Sequence, residues 1–154
     1  MKVVVYAISK NEEKFVNRFC ESMKEADEIY VLDTGSTDDT VKLLRENGVN
    51  VKVKEIVPWR FDVARNESLD MVPEDTDICV CVDLDEVFVS GWREELERVW
   101  DSDTNRLRYV YNWSLDEEDR PIVSFYGEKI HSRRGYKWIH PVHEVLKFEG
   151  DNEK

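Results

Sequence analysis

A rhythm constrains this chain most: four short apolar runs, rich in β-branched residues, recur along the first half with helix-patterned segments between them. The runs are Lys2–Ile8, Ile29–Leu32, Val49–Val57 and Ile78–Val82, and the second and fourth are followed directly by aspartate, Asp33 and Asp83. Between them, Phe15, Val16, Phe19, Cys20 and Met23 recur at helical spacing. Thr37 reads as an N-cap, with Val41 and Leu44 facing inward and Gly48 closing that helix. A further helix over Phe61–Met71 stops before Pro73, and another begins near Ser90 with Trp92, Leu96, Val99 and Trp100 on one side. Strand–helix alternation of this kind predicts a parallel sheet flanked by helices, with functional residues at the carboxyl ends of its strands.

The texture then changes. Leu107, Tyr109, Tyr111 and Trp113 alternate with polar residues, Asp116–Asp119 makes a polar turn, and Pro121–Tyr126 returns. This predicts an antiparallel hairpin, as does part of Tyr136–Phe148. The expected fold is α/β, with a mixed, mainly parallel sheet flanked by helices and a C-terminal antiparallel hairpin region. One domain over 1–150 accounts for it, with 151–154 a polar tail.

Charge excludes one large class. Against 22 basic residues stand 34 acidic ones, a net of -12, so phosphate-backbone binding to nucleic acid is not expected as the main role. The basic residues that do gather are Lys129, Arg133, Arg134 and Lys137, which suit a solvated hairpin surface or an anionic ligand. No stretch approaches the roughly 18 apolar residues of a membrane span, and the first residues resemble no signal peptide. Cys79 and Cys81, two apart in an expected strand, share a face and suit buried thiols; no second pair completes a zinc site. A cytoplasmic protein is the expectation.

Three stretches carry chemistry. Asp33-Thr34-Gly35-Ser36-Thr37 follows a strand end, where a carboxylate can accept hydrogen bonds from a base or ribose and a small-residue turn lets a ligand approach the backbone. The same residue types also suit a plain capped turn. Asp83, Asp85 and Glu86 follow a buried strand, where acids are tolerated only beside something positive. A hard cation with oxygen ligands, Mn2+ or Mg2+, provides that charge and can bridge to a diphosphate; the alternative is a solvated acidic loop. In Trp138–Leu146, His140 and His143 offer imidazoles that can bind metal or serve as structural donors.

These stretches resemble family 2 glycosyltransferases, the inverting group with the GT-A (Rossmann-like) fold. The matching segments are Ser9-Lys10-Asn11-Glu12-Glu13, Asp33–Asp38, Phe61-Asp62-Val63-Ala64-Arg65-Asn66, Val82-Asp83-Leu84-Asp85-Glu86 and Val142-His143-Glu144-Val145-Leu146, in that order along nearly the whole chain. The resemblance implies a metal-dependent transfer of a sugar from a nucleotide diphosphate, UDP being the implied nucleotide. It implies that Asp33, Thr34 and the loop after Ile8 contact base and ribose, and that Arg60 and Arg65 contact the nucleotide or its diphosphate. Asp85 becomes the direct metal ligand, Asp83 a ribose or metal-water contact, and His143 a further metal or diphosphate ligand.

An inverting mechanism needs a carboxylate base near the acceptor. Glu144, Asp116 and Glu117 are the candidates, Glu144 preferred because it neighbours His143. The acceptor class stays open among a glycan, a lipid-linked sugar, a protein and a modified base. Family members usually carry more C-terminal sequence, so either a homo-oligomer completes the site or the acceptor side is open. Two rivals remain: a non-catalytic module that binds nucleotide sugar, and a haloacid-dehalogenase-type phosphatase with Asp83 as nucleophile. The phosphatase motif belongs on a first strand, whereas three strand–helix units precede Asp83 here. Sugar nucleotidyltransferases carry a glycine-rich loop after the first strand, where this chain has Ala7-Ile8-Ser9-Lys10-Asn11.

Overall fold

The first apolar run folds as β1 (Val3–Ser9), and Val3 through Ala7 have no exposed surface. An uninterrupted apolar strand of this kind is stable only with both faces covered. Its odd residues Val3, Val5 and Ala7 join one core cluster with Val16, Phe19, Met23, Leu44 and Leu96. Its even residues Val4 and Tyr6 join another with Leu69, Trp138 and Leu146. Both faces are thus dry, as the alternation of Cβ direction along a strand requires. These contacts appear in a computed structural model that describes residues 1–154.

β2 (Glu28–Asp33) pairs parallel with β1, and β3 (Asn50–Val53) pairs parallel with β2. The chain then crosses back to place β4 (Ile78–Cys81) parallel on the other side of β1. β6 (Pro121–Ser132) joins β4 antiparallel, and β5 (Arg106–Leu115) closes the edge, giving the order β3-β2-β1-β4-β6-β5. The mixed, mainly parallel sheet is therefore observed as expected. The crossing-back puts a topological switch between β1 and β4, the place where open α/β sheets bind ligands.

Helices α1 (Glu13–Met23), α2 (Thr40–Glu46) and α4 (Trp92–Val99) contribute Phe19, Leu44 and Leu96 to the first core; α3 (Phe61–Asp70) contributes Leu69 to the second. A two-stranded sheet, β7 (Tyr136–Ile139) with β8 (Val145–Phe148), covers α3. Asn66 clips the two together, its amide donating to the Trp138 carbonyl (2.9 Å) while its Oδ1 accepts from the Trp138 N–H (2.8 Å). Beneath lies a polar chain within the core. Trp138 Nε1 donates to Tyr6 Oη (2.9 Å), which meets His131 Nε2 (2.8 Å), while His131 Nδ1 faces the Ser132 carbonyl (2.8 Å). A carbonyl only accepts, so Nδ1 carries the proton and Nε2 accepts from Tyr6. Burial lowers His131 to about 3 and holds it neutral.

Several expectations shift. The third strand ends at Val53 rather than Val57, because its only neighbour, β2, ends opposite it at Asp33. Thr37 does not cap α2, because the helix begins three residues on at Thr40; the Thr37 N–H donates to Asn11 Oδ1 (2.7 Å), and Asp38 Oδ1 takes the Thr40 N–H (3.0 Å). Gly48 does close α2, in the left-handed conformation (φ +79°). Val99 faces outward because the backbone turns extended at Trp100, which packs on the core in its place. The returning hairpin strand continues to Ser132, beyond the expected Tyr126, and Trp113 is exposed. Cys79 and Cys81 are buried in one cluster, as their spacing implied. The tail is not loose: Lys154 takes the backbone N–H groups of Asn105 and Arg106, and Tyr136 Oη donates to Glu153 (2.8 Å).

Candidate active site at the switch point

After β4 the chain makes a tight acidic turn. Leu84 is fully buried and pins the turn to the core, so Asp83 and Asp85 lean the other way. Glu86 is buried too; its Oε1 accepts the Asp83 N–H (2.7 Å) and its own N–H donates to the Asp83 carbonyl (3.0 Å). Glu86 is thus the clasp of the turn.

Two cations compensate these acids from within the chain. Arg65, buried on α3, donates to Asp83 Oδ1 (2.6 Å) and Glu144 Oε1 (3.3 Å), contacts Cys81 Sγ (3.6 Å), and lies over the Trp138 ring. Lys129 of β6 donates to Glu86 Oε1 (2.7 Å) and stands 3.9 Å from Asp83 Oδ2. Burial opposes ionisation of Asp83, but Arg65 and Lys129 outweigh it and hold the carboxyl below its ordinary range. Burial likewise opposes the Lys129 ammonium, and the charge of Asp83 and Glu86 nonetheless raises it. Tyr111 is pushed up to about 12 by burial and by Glu86. Part of the compensation expected from a bound dication is therefore already built in.

Asp85 is different. Its side chain is exposed and has no hydrogen bond or ion pair; only its carbonyl is engaged, by Arg18 (2.6 Å). Across the switch point, Glu12 is pushed up to about 7, first by burial and then by the charges of Asp85 and Asp83. The half-buried Glu12 lies within reach of the charges of Asp85 and Asp83, so negative charge remains after Arg65 and Lys129 are counted. The sign for stability follows. Folded Glu12 binds its proton more tightly than in the unfolded chain, so its contribution is fullest below about 4.3, the unfolded value, and is lost as pH rises through about 7. Glu12→Gln is therefore expected to flatten the fall of melting temperature between those pH values and to raise it at pH 8. An unchanged slope would place Glu12 away from the acids.

The other predicted residues divide. Ile8 sits at the end of β1 opposite Leu32. Asp33 is fully buried, with Oδ2 accepting from the Ser9 and Ser36 hydroxyls (2.8 and 2.6 Å) and Oδ1 from the Gly35 and Ser36 N–H groups (3.0 and 2.8 Å). A carboxylate has about four lone-pair sites, so a ribose hydroxyl reaching Asp33 competes with its own turn. Thr34 is buried and donates to the Ser9 carbonyl (3.1 Å). Arg60 forks onto Asp62 (3.0 and 2.9 Å), and the neighbouring Phe61 N–H meets the Pro141 carbonyl (3.0 Å), which brings the start of α3 to the histidine loop.

His140 and His143 both hold left-handed backbone (φ +78° and +54°), and His143 is exposed. The expected trio of Asp83, Asp85 and His143 is not assembled: no three His, Cys, Asp or Glu side chains converge closely enough to hold a metal unaided. Asp83 turns to Arg65 and Lys129 instead. Asp116 and Glu117 lie apart from the acidic turn. They occupy the hairpin tip, where Asp116 accepts the Glu118 and Arg120 N–H groups (both 2.9 Å), about 25 Å along the strand from Lys129 at ~3.3 Å per residue. Glu144 alone of the candidate bases reaches the acidic turn, through Arg65.

Lys129 and Glu12 are the members the sequence reading missed. Lys129 does not belong to a surface patch with Arg133, which turns away to the Val72 carbonyl (3.0 Å) and Glu74 (3.2 Å).

A sheet of this order, with an acidic turn and a buried arginine at its switch point, defines an α/β protein with a candidate ligand site between β1 and β4. Comparison with known proteins narrows the class. The chain belongs to Glycosyl transferase family 2, whose family model matches residues 4–146. An uncharacterized glycosyltransferase of Rickettsia typhi is 33% identical over 110 residues, which are 71% of this chain and 36% of that relative. A counterpart from Rickettsia conorii is 32% identical, over 71% of this chain and 37% of its own. The chain thus spans about a third of these relatives.

Among solved structures, S. aureus TarS 1–349 in complex with UDP matches with a TM-score of 0.53 and 23% identity, covering 64% of this chain and 31% of TarS. Mannosyltransferase PcManGT from Pyrobaculum calidifontis, in complex with GDP-Man and Mn2+, gives 0.54 and 19%, covering 77% and 36%. Both show the same GT-A fold.

Proposed function

We propose that this chain transfers a sugar from a nucleoside-diphosphate donor, a UDP-sugar first, to an acceptor hydroxyl with inversion at the anomeric carbon. The observation that carries the reading is Asp85. It is an unpartnered carboxylate at the switch point of a family 2 domain, beside acids that outnumber their internal cations. A bare diphosphate is repelled by such a cluster, whereas Mg2+-like ions bind through one or two carboxylates together with substrate phosphates. The donor set therefore fits Mn2+ or Mg2+ held by Asp85 and the donor itself. When bound, the ion stabilises the charge that develops on the leaving diphosphate.

The chain's own residues have the remaining roles. Leu84 and Glu86 fix the turn that aims Asp85. Arg65 and Lys129 hold Asp83 ionised and immobile beside it. Arg60, at the open start of α3, supplies a planar donor fork towards the diphosphate once it leaves Asp62. His143 lies on the loop that meets that helix. Glu144 takes the acceptor proton in this scheme, as the one candidate base tied to the turn.

A thermal-shift series with UDP, UDP-sugars and GDP-sugars, with and without Mn2+, tests the reading. At about 100-fold excess over Kd, binding stabilises by about 2.7 kcal/mol, roughly 5–10 °C for a chain of this size. The expected result is a Mn2+-dependent shift with one nucleotide, accompanied by slow release of the nucleoside diphosphate. A shift without any release favours the non-catalytic binding module. No shift with any nucleotide sugar defeats the proposal.

A further inference from the structure

The Asp85 side chain touches nothing, so its aim is set by the backbone that carries it. On either side that backbone is fixed from within. Leu84 is buried in the core, and the Glu86 N–H donates to the Asp83 carbonyl (3.0 Å), closing the turn. The unit left to rock is the peptide joining Asp85 to Glu86. Its N–H is the one held by Asp83, and any movement of its carbonyl end is passed to the Asp85 side chain through the shared Cα.

Arg18 holds that carbonyl end. From α1 its guanidinium donates to the Asp85 carbonyl oxygen (2.6 Å). The peptide is thus gripped at both ends, once by the turn itself and once by a side chain of another element. Arg18 is braced in turn by the Phe15 ring, which it overlies at 5.2 Å and which packs on the first core.

The same face of α1 continues the grip. Ser22 Oγ accepts the Phe88 N–H (2.7 Å) and donates to the Phe88 carbonyl (3.2 Å). Glu25 accepts the N–H groups of Gly91 (3.0 Å) and Arg93 (3.3 Å). Residues three and four apart line up along a helix, so Arg18, Ser22 and Glu25 form a rail on which the segment 85–93 is laid. Arg18 is the end of the rail at the acidic turn.

We infer that, on the reading of Asp85 given above, Arg18 is a positioning residue for the unpartnered carboxylate: it holds the Asp85 carbonyl and so fixes how the side chain is presented to a dication. Groups that orient a metal ligand without touching the metal contribute about 10–100-fold to affinity. The sign makes the role testable. Arg18 is a cation beside a site for a cation, so by charge alone its removal would tighten Mn2+. By positioning, its removal weakens Mn2+.

Mn2+ titrated into the chain with UDP, and separately with GDP, measures this without turnover when free Mn2+ is read by electron paramagnetic resonance. Arg18→Ala is expected to raise the half-saturating Mn2+ concentration about 10–100-fold. The melting temperature of the metal-free variant should move by about 2 °C at most, because the contact is exposed. Arg18→Lys keeps a donor and should recover most of the loss. Ser22→Ala frees the segment only beyond Glu86, so it should lower the melting temperature and leave the Mn2+ midpoint at the parent's value. Amide exchange of the metal-free chain reads the grip directly: the Glu86 N–H should exchange about 5–10-fold faster in Arg18→Ala, the scale of one lost hydrogen bond. A parent that takes no Mn2+ with either nucleotide defeats the functional reading, and the Glu86 amide still decides whether Arg18 holds the turn. With Mn2+ bound by the parent, an Arg18→Ala chain that binds it as tightly or more so, a Ser22→Ala chain that loses as much affinity, or an unchanged Glu86 amide would each overturn the inference.

Discussion

Arg65→Met is expected to lower stability by about 3 kcal/mol, the largest single effect in this molecule outside its apolar core. Removing one partner of a buried ion pair leaves the other charge uncompensated, typically at about 3–5 kcal/mol. The lower end applies because the Asp83 side chain is 41% exposed and solvent screens that half of the interaction. Glu144, at 16%, has less recourse to water. For a chain of this length the melting temperature should fall by roughly 6–12 °C. Adding Glu144→Gln to Arg65→Met should restore part of the loss, since the stranded carboxylate is gone, and the double-mutant cycle reads the coupling. A single-variant loss below about 1 kcal/mol would mean that the pair is not buried in solution.

Asp85→Asn is expected to act in the opposite sense, on turnover and not on folding. Asp85 makes no side-chain contact and its charge repels Glu12, so stability should hold within about 0.5 kcal/mol. Release of nucleoside diphosphate from the donor should fall roughly 10²–10³-fold, the scale on which loss of one electrostatic stabiliser acts. The Mn2+-dependent thermal shift should vanish with it. Asp83→Asn differs, because Arg65 and Lys129 each lose one of their two acidic partners, keeping Glu144 and Glu86, so melting temperature and turnover should drop together. If Asp85→Asn releases product at the parent rate, the free carboxylate is not the donor-facing group.

The parallel half of the fold was readable because local pattern and burial agree there. Runs such as Val3–Ala7 and Ile78–Val82 are apolar throughout and end up covered on both faces, so no tertiary detail intervenes. What failed was set by neighbours. Val49–Val57 alternates as a strand should, yet only four of its residues pair, because β3 is an edge whose partner stops at Asp33. Thr37 is as good a capping residue as Asp38, but the helix starts three residues beyond it, at Thr40, and Thr37 is tied to Asn11 of another loop.

The acidic turn and Arg65 were legible as a set through the family resemblance, whereas Lys129 was not. It lies 43 residues from Glu86, on a strand running the opposite way, and nothing near it in sequence separates it from the exposed Arg134. Glu12 stood inside a quoted motif. Its meaning depends on the switch between β1 and β4 that sets it against Asp85.

The loops after β1 and β2 are bolted to each other before anything arrives. Asn11 Oδ1 takes the Thr37 N–H, Ser36 Oγ takes the Asn11 N–H (2.8 Å), and Thr40 Oγ1 takes that of Glu12 (2.9 Å). A guest settling at this rim finds its walls already frozen, so little of its binding free energy is spent on ordering them. Association should then resemble a key entering a finished lock, with amide exchange in both loops slow even in the empty protein.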